Sequence, residues 1–195
     1  MDQTLDYYNK NAKAFVTDTV DVQFFKIQDK FLKFLPKHSW ILDFGCGSGR
    51  DSKYFLEHGY HVDAVDGSER LCQIASGYIK KPVRQMLFQE LNETEKYDAI
   101  WACSSILHLP KKELFHVFQL MVDSLKKNGI IYASFKYGTF EGERDGRYFT
   151  DFTEDTFRSF IIEEWRLMII EEWSSNDVRP GREQEKWLNL ILRKK

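Results

Sequence analysis

Residues 40–51 read WILDFGCGSGRD, and this stretch constrains the fold more than any other part of the chain. A short apolar run leads directly into three glycines at alternate positions, Gly45, Gly47 and Gly49. Glycine tolerates positive φ and lets the backbone approach a ligand closely. A helix predicted to follow would present unpaired N–H groups at its start. The pattern is typical of the first strand-to-helix turn of a doubly wound sheet, where nucleotide-like ligands bind.

The rest of the chain alternates between strand and helix patterns. Apolar spacing predicts two helices within 4–35 and further helices at 50–58, 69–79, 111–127 and 153–162. Apolar runs predict strands at 40–44, 60–66, 83–88, 97–103, 130–136, 165–173 and 186–194, and segment 137–150 is predicted to be a loop. The linker between the last two strands is too short for a crossover helix, so they are predicted to pair antiparallel. The expected fold class is α/β, a doubly wound, mostly parallel, seven-stranded Rossmann-like sheet with a final antiparallel strand and N-terminal helices.

The composition limits the number of domains and the classes of partner that are expected. The 195 residues contain no internal repeat or dividing linker, which predicts a single domain over 1–195. A net charge of −2 disfavours a nucleic-acid partner. The three cysteines lack metal-ligand spacing, which predicts free thiols in a reducing cytoplasm and no bound metal. No run is apolar and long enough for a signal or a membrane span, so no membrane partner is expected. The composition leaves the oligomeric state open.

Two acidic residues distinguish between the ligand classes that such a turn binds. Asp66 ends the second predicted strand, at a distance from the glycines that lets a carboxylate accept hydrogen bonds from ribose hydroxyls. A dinucleotide site needs G-x-G-x-x-G, but Arg50 occupies the position of the last glycine. Asp43 precedes the first glycine by two residues, where it suits an ammonium group and repels a pyrophosphate. A dinucleotide-dependent oxidoreductase is therefore the weaker alternative.

With these motifs in view, the chain resembles the class I S-adenosylmethionine-dependent methyltransferases over nearly its whole length. DFGCGSGRD, residues 43–51, matches the first motif of that family, and AVDGS, residues 64–68, matches its second. GCGSGRD, the HLP after the fourth strand and the FKYG loop are similar, more loosely, to small single-domain bacterial members that include relatives of tellurite-resistance methyltransferases. The resemblance implies S-adenosylmethionine as cofactor and in-line methyl transfer to a small-molecule acceptor.

The resemblance also implies a cofactor site. Asp43 would contact the methionine ammonium directly or through water, Arg50 the methionine carboxylate, and Asp66 the ribose. Residues 1–36 would form a helical lid over a cofactor-binding core of residues 37–195, although a core-facing first helix fits the same pattern. The full implied cofactor set is Tyr8, Asp43, Gly45, Cys46, Gly47, Arg50, Asp66, Gly67, Glu90, Leu91, Cys103 and Ser104.

The acceptor side is the less certain part of the site. His108 follows the fourth strand and would suit a general base near neutral pH, or would simply pack on the cofactor. Cationic and aromatic residues around the fifth strand and the terminal hairpin would bind an anionic acceptor, or would be solvated loop charges. These residues are Lys136, Tyr137, Arg144, Arg147, Tyr148, Arg179 and Arg182.

Two further functions stay open. Amino-methylating nucleic-acid enzymes carry an Asp or Asn before two prolines and an aromatic residue after the fourth strand, where this chain has CSSIL, residues 103–107. That departure argues against them, but an RNA or nucleoside methyltransferase with other motifs is not excluded. A non-catalytic cofactor-binding domain would carry the same binding motifs.

Overall fold

The computed structural model describes residues 3–195. The helices are α1 (Gln3–Thr19), α2 (Phe25–Leu32), α3 (Arg50–Glu57), α4 (Glu69–Ile79), α5 (Lys111–Ser124) and α6 (Glu154–Ile161). The strands are β1 (Trp40–Phe44), β2 (His61–Asp66), β3 (Arg84–Gln85), β4 (Tyr97–Ala102), β5 (Leu125–Lys136), β6 (Glu141–Arg144), β7 (Arg147–Thr150), β8 (Leu167–Asn176) and β9 (Lys186–Lys194). Short 3-10 helices lie at Phe88–Glu90 and Ile106–His108.

Seven strands form one sheet in the order β3-β2-β1-β4-β5-β9-β8. The first five strands along the chain pair in parallel, and β9 inserts antiparallel between β5 and β8. The predicted fold class is confirmed, including the final antiparallel strand. The order reverses between β1 and β4, and ligands of doubly wound sheets bind at the carboxyl ends of the strands beside such a reversal.

Strand β4 shows why the sheet is buried on both faces. Its side chains alternate between two apolar layers, as the period of a strand requires. On one face, the ring of Trp101 stacks on that of Tyr132 with centroids 4.0 Å apart and also packs on Phe31 of α2. On the other face, Ile100 belongs to the core layer that includes Phe118 of α5. With both faces covered, the sheet is open to a ligand at its strand ends.

Segment 137–150 is a β-hairpin, so the prediction of a loop there was wrong. Strands β6 and β7 pair antiparallel across Asp145 and Gly146, whose φ angles of 52° and 73° match a two-residue type I′ turn. Asp-Gly is the dipeptide that this turn favours, so the sequence did contain a local signal. Strand β6 is polar, the buried residues of β7 are the adjacent Phe149 and Thr150, and neither strand has the apolar alternation by which strands are identified.

The two N-terminal helices have different positions. Phe31 of α2 is fully buried in the aromatic core layer, whereas α1 packs against α4 and β7 at the carboxyl edge of the sheet. Only α1 therefore lies where the predicted lid was expected. Among the described residues, no helix combines the length and apolar character that crossing a bilayer requires.

Candidate functional site

The glycine-rich turn after β1 is held open by positive φ angles of 88° at Gly45, 56° at Gly47 and 82° at Gly49. The carboxylate of Asp66 fixes this turn to the end of β2. One of its oxygens accepts a hydrogen bond from the Gly47 N–H at 2.9 Å, and the other accepts one from the Ser68 N–H at 2.8 Å. Burial raises the pKa of Asp66, and these two hydrogen bonds oppose the rise. The two motifs are thus one unit, joined through a carboxylate.

A cavity of about 350 Å³ lies over this unit at the carboxyl ends of the strands. Most of the predicted cofactor residues line it, namely Tyr8, Gly45, Cys46, Gly47, Arg50, Asp66, Gly67, Cys103 and Ser104. His108 lines the same cavity. Asp43, Glu90 and Leu91 are not among its lining residues. The structure therefore brings together nine of the twelve predicted cofactor positions.

Helix α1 covers the cavity and approaches the glycines closely. A Cβ at Gly67 would lie 2.7 Å from the Leu5 side chain, and one at Gly47 would lie 3.0 Å from the Phe15 ring. Leu5 and Phe15 also line the cavity, and neither was predicted. Because both are apolar, their helical spacing gave no sign that they face a ligand rather than the core.

Asp43 lies behind the cavity wall, and Asp51 takes its place at the surface of the cavity. Asp43 is 2% exposed and accepts a hydrogen bond of 2.5 Å from the Ser52 hydroxyl. Burial and the neighbouring charge of Asp51 raise the pKa of Asp43 to about 8. Asp51 lines the cavity, and the sequence analysis missed it because its position in the first turn of α3 resembles a simple helix-start acid.

Arg50 is already bound to a carboxylate of its own chain. Its Nε and Nη2 donate to the two oxygens of Asp51 at 2.8 and 2.9 Å, a bidentate pair. Gln28 and Trp101 donate to the same carboxylate at 2.7 and 2.8 Å. The guanidinium also lies 4.5 Å over the Phe24 ring. In this arrangement the fork of Arg50 is paired with Asp51, while the side chain still lines the cavity.

The turn after β3 meets the cavity through residues other than those predicted. Leu87, Phe88 and Gln89 line it. The Glu90 carboxylate instead accepts a hydrogen bond from the Leu87 N–H at 2.7 Å and so caps its own 3-10 helix. Leu91 is 2% exposed and packs in the core. Because two of the three lining side chains are apolar, the cavity wall at this turn is mainly apolar.

The end of β4 supplies a polar floor. Ser104 adopts a positive φ of 53°, and its N–H donates to the Ser134 hydroxyl at 2.9 Å. Burial and the charge of Asp51 raise the pKa of the Cys103 thiol to about 12. The thiol is therefore protonated at neutral pH, which agrees with the predicted packing role and not with a nucleophile.

His108 links three elements above that floor. Its Nδ1 lies 2.6 Å from the Tyr148 carbonyl oxygen, which can only accept, so Nδ1 carries the proton. Nε2 then accepts a hydrogen bond from the Tyr8 hydroxyl at 2.8 Å. Burial, with smaller contributions from the charges of Arg147 and Arg144, lowers the pKa of His108 to about 4. A base titrating near neutral pH was expected here; the structure instead shows a neutral imidazole whose lone pair is occupied.

The predicted acceptor residues divide between two neighbouring spaces. Lys136, Arg147, Arg179 and Arg182 line the cavity, together with Trp187 and Asn189, which the sequence analysis missed. Lys136, Tyr137, Arg144, Arg147 and Arg182 line an adjoining, more open pocket of about 460 Å³. Tyr148 contributes its backbone carbonyl to His108, while its hydroxyl faces Glu141 at 3.3 Å.

Comparison with known proteins adds to this geometry. Residues 41–129 match the family described as a methyltransferase domain. YqeM of Bacillus subtilis strain 168, which carries the name of a methyltransferase, is 29% identical over 114 residues, or 52% of this chain. The matched part spans 46% of that protein, less than half of its length.

Solved structures share the fold over nearly the whole chain. The 1,6-didemethyltoxoflavin-N1-methyltransferase of Burkholderia thailandensis, solved with 1,6-didemethyltoxoflavin and S-adenosylhomocysteine, superposes with a TM-score of 0.76 at 18% identity. That match covers 97% of this chain and 84% of the other. TehB from Haemophilus influenzae gives 0.71 at 18% identity, covering 97% of this chain and 66% of the other. These findings confirm the predicted resemblance to a methyltransferase domain and the shared fold, and the S-adenosylhomocysteine of the Burkholderia structure is the demethylated form of the implied cofactor.

Proposed function

We propose that this chain, whose residues 41–129 belong to the methyltransferase domain family, binds S-adenosylmethionine and transfers its methyl group in line to a small, anionic acceptor. The observation that carries the proposal is the cavity at the carboxyl ends of the strands, which both glycine-containing motifs line and α1 covers. The residues assigned to the donor and to the acceptor share it, since Asp66, His108 and Arg147 all line this one cavity.

The donor end of the cavity fits the cofactor in hydrogen bonding and charge. Each oxygen of Asp66 accepts one backbone N–H and retains a lone pair for a ribose hydroxyl. Asp51 and Asp66 line this end, and Arg50 is paired with Asp51, so the carboxylate of Asp66 remains to favour the ammonium and sulfonium charges. Leu87 and Phe88 offer apolar surface to the adenine. These residues would hold the cofactor with the helices and strands arranged as they are here.

The protein's part in the reaction is to orient the reactants and exclude water. Bound S-adenosylmethionine supplies a methyl group that is already electrophilic. Leu5 and Phe15 of α1 close the donor end, and the Tyr8–His108 hydrogen bond ties that helix to the acceptor side. Such positioning can be worth ~7–11 kcal/mol of the barrier.

The ionisable groups of the cavity favour an acceptor that is nucleophilic before it binds. The thiol of Cys103 holds its proton at neutral pH, and the lone pair of His108 already accepts the Tyr8 hydroxyl. Burial also raises the pKa of Tyr8, against the charge of Arg147. We therefore assign His108 to orienting Tyr8 and not to direct proton abstraction.

Isothermal titration with S-adenosylmethionine, S-adenosylhomocysteine and NAD tests this proposal. We expect both sulfur compounds to bind and NAD to give no heat. Asp66→Ala should weaken S-adenosylhomocysteine binding by about 100-fold or more, because it loses the ribose acceptor and releases Gly47. Asp63→Ala, on the same strand but outside the cavity, should bind as wild type does.

Thermal unfolding of each variant separates binding from folding. Asp66→Asn keeps one carbonyl acceptor for a backbone N–H and should fold where Asp66→Ala is weakened. Binding of NAD with none of either sulfur compound would overturn the proposal and favour a dinucleotide enzyme. Cofactor binding without transfer to any acceptor would favour a non-catalytic cofactor-binding domain.

A further inference from the structure

The cations near the cavity differ in what neutralises them. Arg144 pairs with Asp151, Arg179 with Asp177, Arg182 with Glu185, and Lys136 with both Asp177 and Glu185. Arg147 has no carboxylate within ion-pair distance anywhere in residues 3–195. These four cations share three carboxylates, so one positive charge is spread over Lys136, Arg179 and Arg182, and a second lies on Arg147, which alone of the five has no carboxylate partner within residues 3–195.

The surroundings of Arg147 are aromatic. Its Cζ lies 4.4 Å from the ring centroid of Tyr7 and 5.1 Å from that of Phe149. Its Nε is buried and donates no hydrogen bond. Stacked rings compensate a guanidinium only in part, and a buried N–H without an acceptor is costly. The ligand-free protein therefore holds a charge and a donor that an anion would satisfy.

Arg147 also lies where two spaces meet. It lines both the cavity and the adjoining open pocket, as do Lys136, Phe149 and Arg182. The open pocket contains no residue of the glycine-rich turn or of the Asp66 motif. An anion bound at Arg147 from this side would place the rest of its molecule in the cavity while leaving the donor end free.

We propose that Arg147 binds the carboxylate of a planar, monoanionic acceptor, such as an aromatic carboxylic acid, which enters through the open pocket. This inference rests on the proposed function and adds the chemical class of the acceptor. A single guanidinium fork matches one planar carboxylate, and Arg147 has no carboxylate partner within residues 3–195, whereas Lys136, Arg144 and Arg182 are each held by a carboxylate of the chain. The ring of Phe149, which lines both spaces, offers an apolar face to a flat body.

The first arm of the test measures donor binding in wild type, Arg147→Gln, Arg147→Lys and the control Arg70→Gln. Arg70 is exposed, and its side chain donates to Gln73 on the same helix, outside the cavity. We expect all four proteins to bind S-adenosylhomocysteine within about 2-fold of one another. A loss confined to the Arg147 variants would assign that residue to the carboxylate of the donor and overturn the acceptor assignment. A failure of all four to bind would instead contradict the proposed function.

The second arm uses protein saturated with S-adenosylhomocysteine and three probes: benzoate, neutral benzamide and inorganic sulfate. Titration followed by ligand-observed NMR should show that wild type and Arg70→Gln bind benzoate roughly 10-fold or more tightly than benzamide. Arg147→Gln should lose that preference, and Arg147→Lys should recover part of it, because lysine keeps the charge without the fork. Equal binding of benzoate and benzamide by wild type, benzoate binding undiminished in Arg147→Gln, or stronger binding of sulfate would each overturn the proposal.

Discussion

The two ends of the cavity are built by different means. At the donor end, backbone groups within one stretch of the chain are fixed by a single carboxylate, through the Gly47 and Ser68 N–H groups on Asp66. At the acceptor end, ion pairs join side chains: Arg144 of β6 pairs with Asp151, and Lys136 of β5 pairs with Asp177 and Glu185 of the β8–β9 connection. Backbone geometry depends on the glycines, whereas ion-paired side chains can be exchanged singly.

The two ends of the cavity should therefore differ in how well they tolerate substitution. A change at the donor end alters backbone conformation and so affects folding and cofactor binding together. A change at the acceptor end alters a wall formed by side chains and should affect ligand choice first. Tyr8 and His108 are the exception, because their hydrogen bond connects the two ends.

Gly45→Ala should have the largest effect on stability. Its φ of 88° is costly for alanine, and the new Cβ would lie 2.5 Å from the Cβ of Ser105. Ser105 cannot easily yield, because it is buried and its hydroxyl donates to the Phe44 carbonyl oxygen at 2.6 Å. We expect a loss of about 3–4 kcal/mol in the free energy of unfolding, measured with urea.

Gly77→Ala is the matched control for that substitution. Gly77 lies in α4, and no heavy atom lies within 4 Å of a Cβ placed there. Alanine in a helix should stabilise the protein by about 0.5–1 kcal/mol. If Gly45→Ala proved as harmless as this control, the donor end would not depend on its backbone as argued.

Asp43→Asn should reveal a conflict between stability and cofactor binding. The pKa of Asp43 is raised, so the folded state binds more protons than the unfolded state between pH 4 and 8, and stability falls as pH rises through that range. Asparagine retains an acceptor for Ser52 but carries no charge. We expect the variant to exceed wild type at pH 9 by about 2 kcal/mol in urea unfolding, and to match it at pH 4.

The same variant should bind S-adenosylhomocysteine more weakly at pH 8, because the ammonium loses a nearby negative charge. A variant that is no more stable than wild type at pH 9 would contradict the buried charge. A variant with unchanged affinity would remove Asp43 from the donor site and leave Asp51 as the acidic group there.

The sequence predicted the turn after β1 and the carboxylate that ends β2 because their determinants are local. Strand, glycines and carboxylate follow one another within residues 40–67, and each has one dominant conformational or hydrogen-bonding role. The order of the strands followed from their alternation with helices. Asp43 and Glu90 were placed at the cavity by motif position alone, whereas the structure buries Asp43 behind the wall and turns Glu90 back onto its own helix.

The acceptor end could not be predicted to the same depth because several carboxylates lie near its arginines in the sequence, and the sequence does not say which of them pair. Arg144, Arg179 and Arg182 looked alike as loop cations, and only the fold shows that each faces a carboxylate while Arg147 does not. The hairpin that carries Arg147 has little apolar alternation, so its turn dipeptide was the one available signal. Burial likewise set the pKa of His108 in a way that no neighbouring residue in the sequence indicates.

Substitution of His108 should have the smallest effect on stability, and it tests the connection between the two ends most directly. Because its pKa in the folded state is lowered, wild type should lose stability as pH falls from about 6.5 towards 4. His108→Asn keeps a donor near the Tyr148 carbonyl but loses the acceptor for Tyr8. It should be less stable than wild type by about 1 kcal/mol at pH 7.5, and the difference should shrink or reverse at pH 5. Because Tyr8 would loosen on α1, S-adenosylhomocysteine affinity should also fall a few-fold, whereas a general base would lower turnover and spare that affinity.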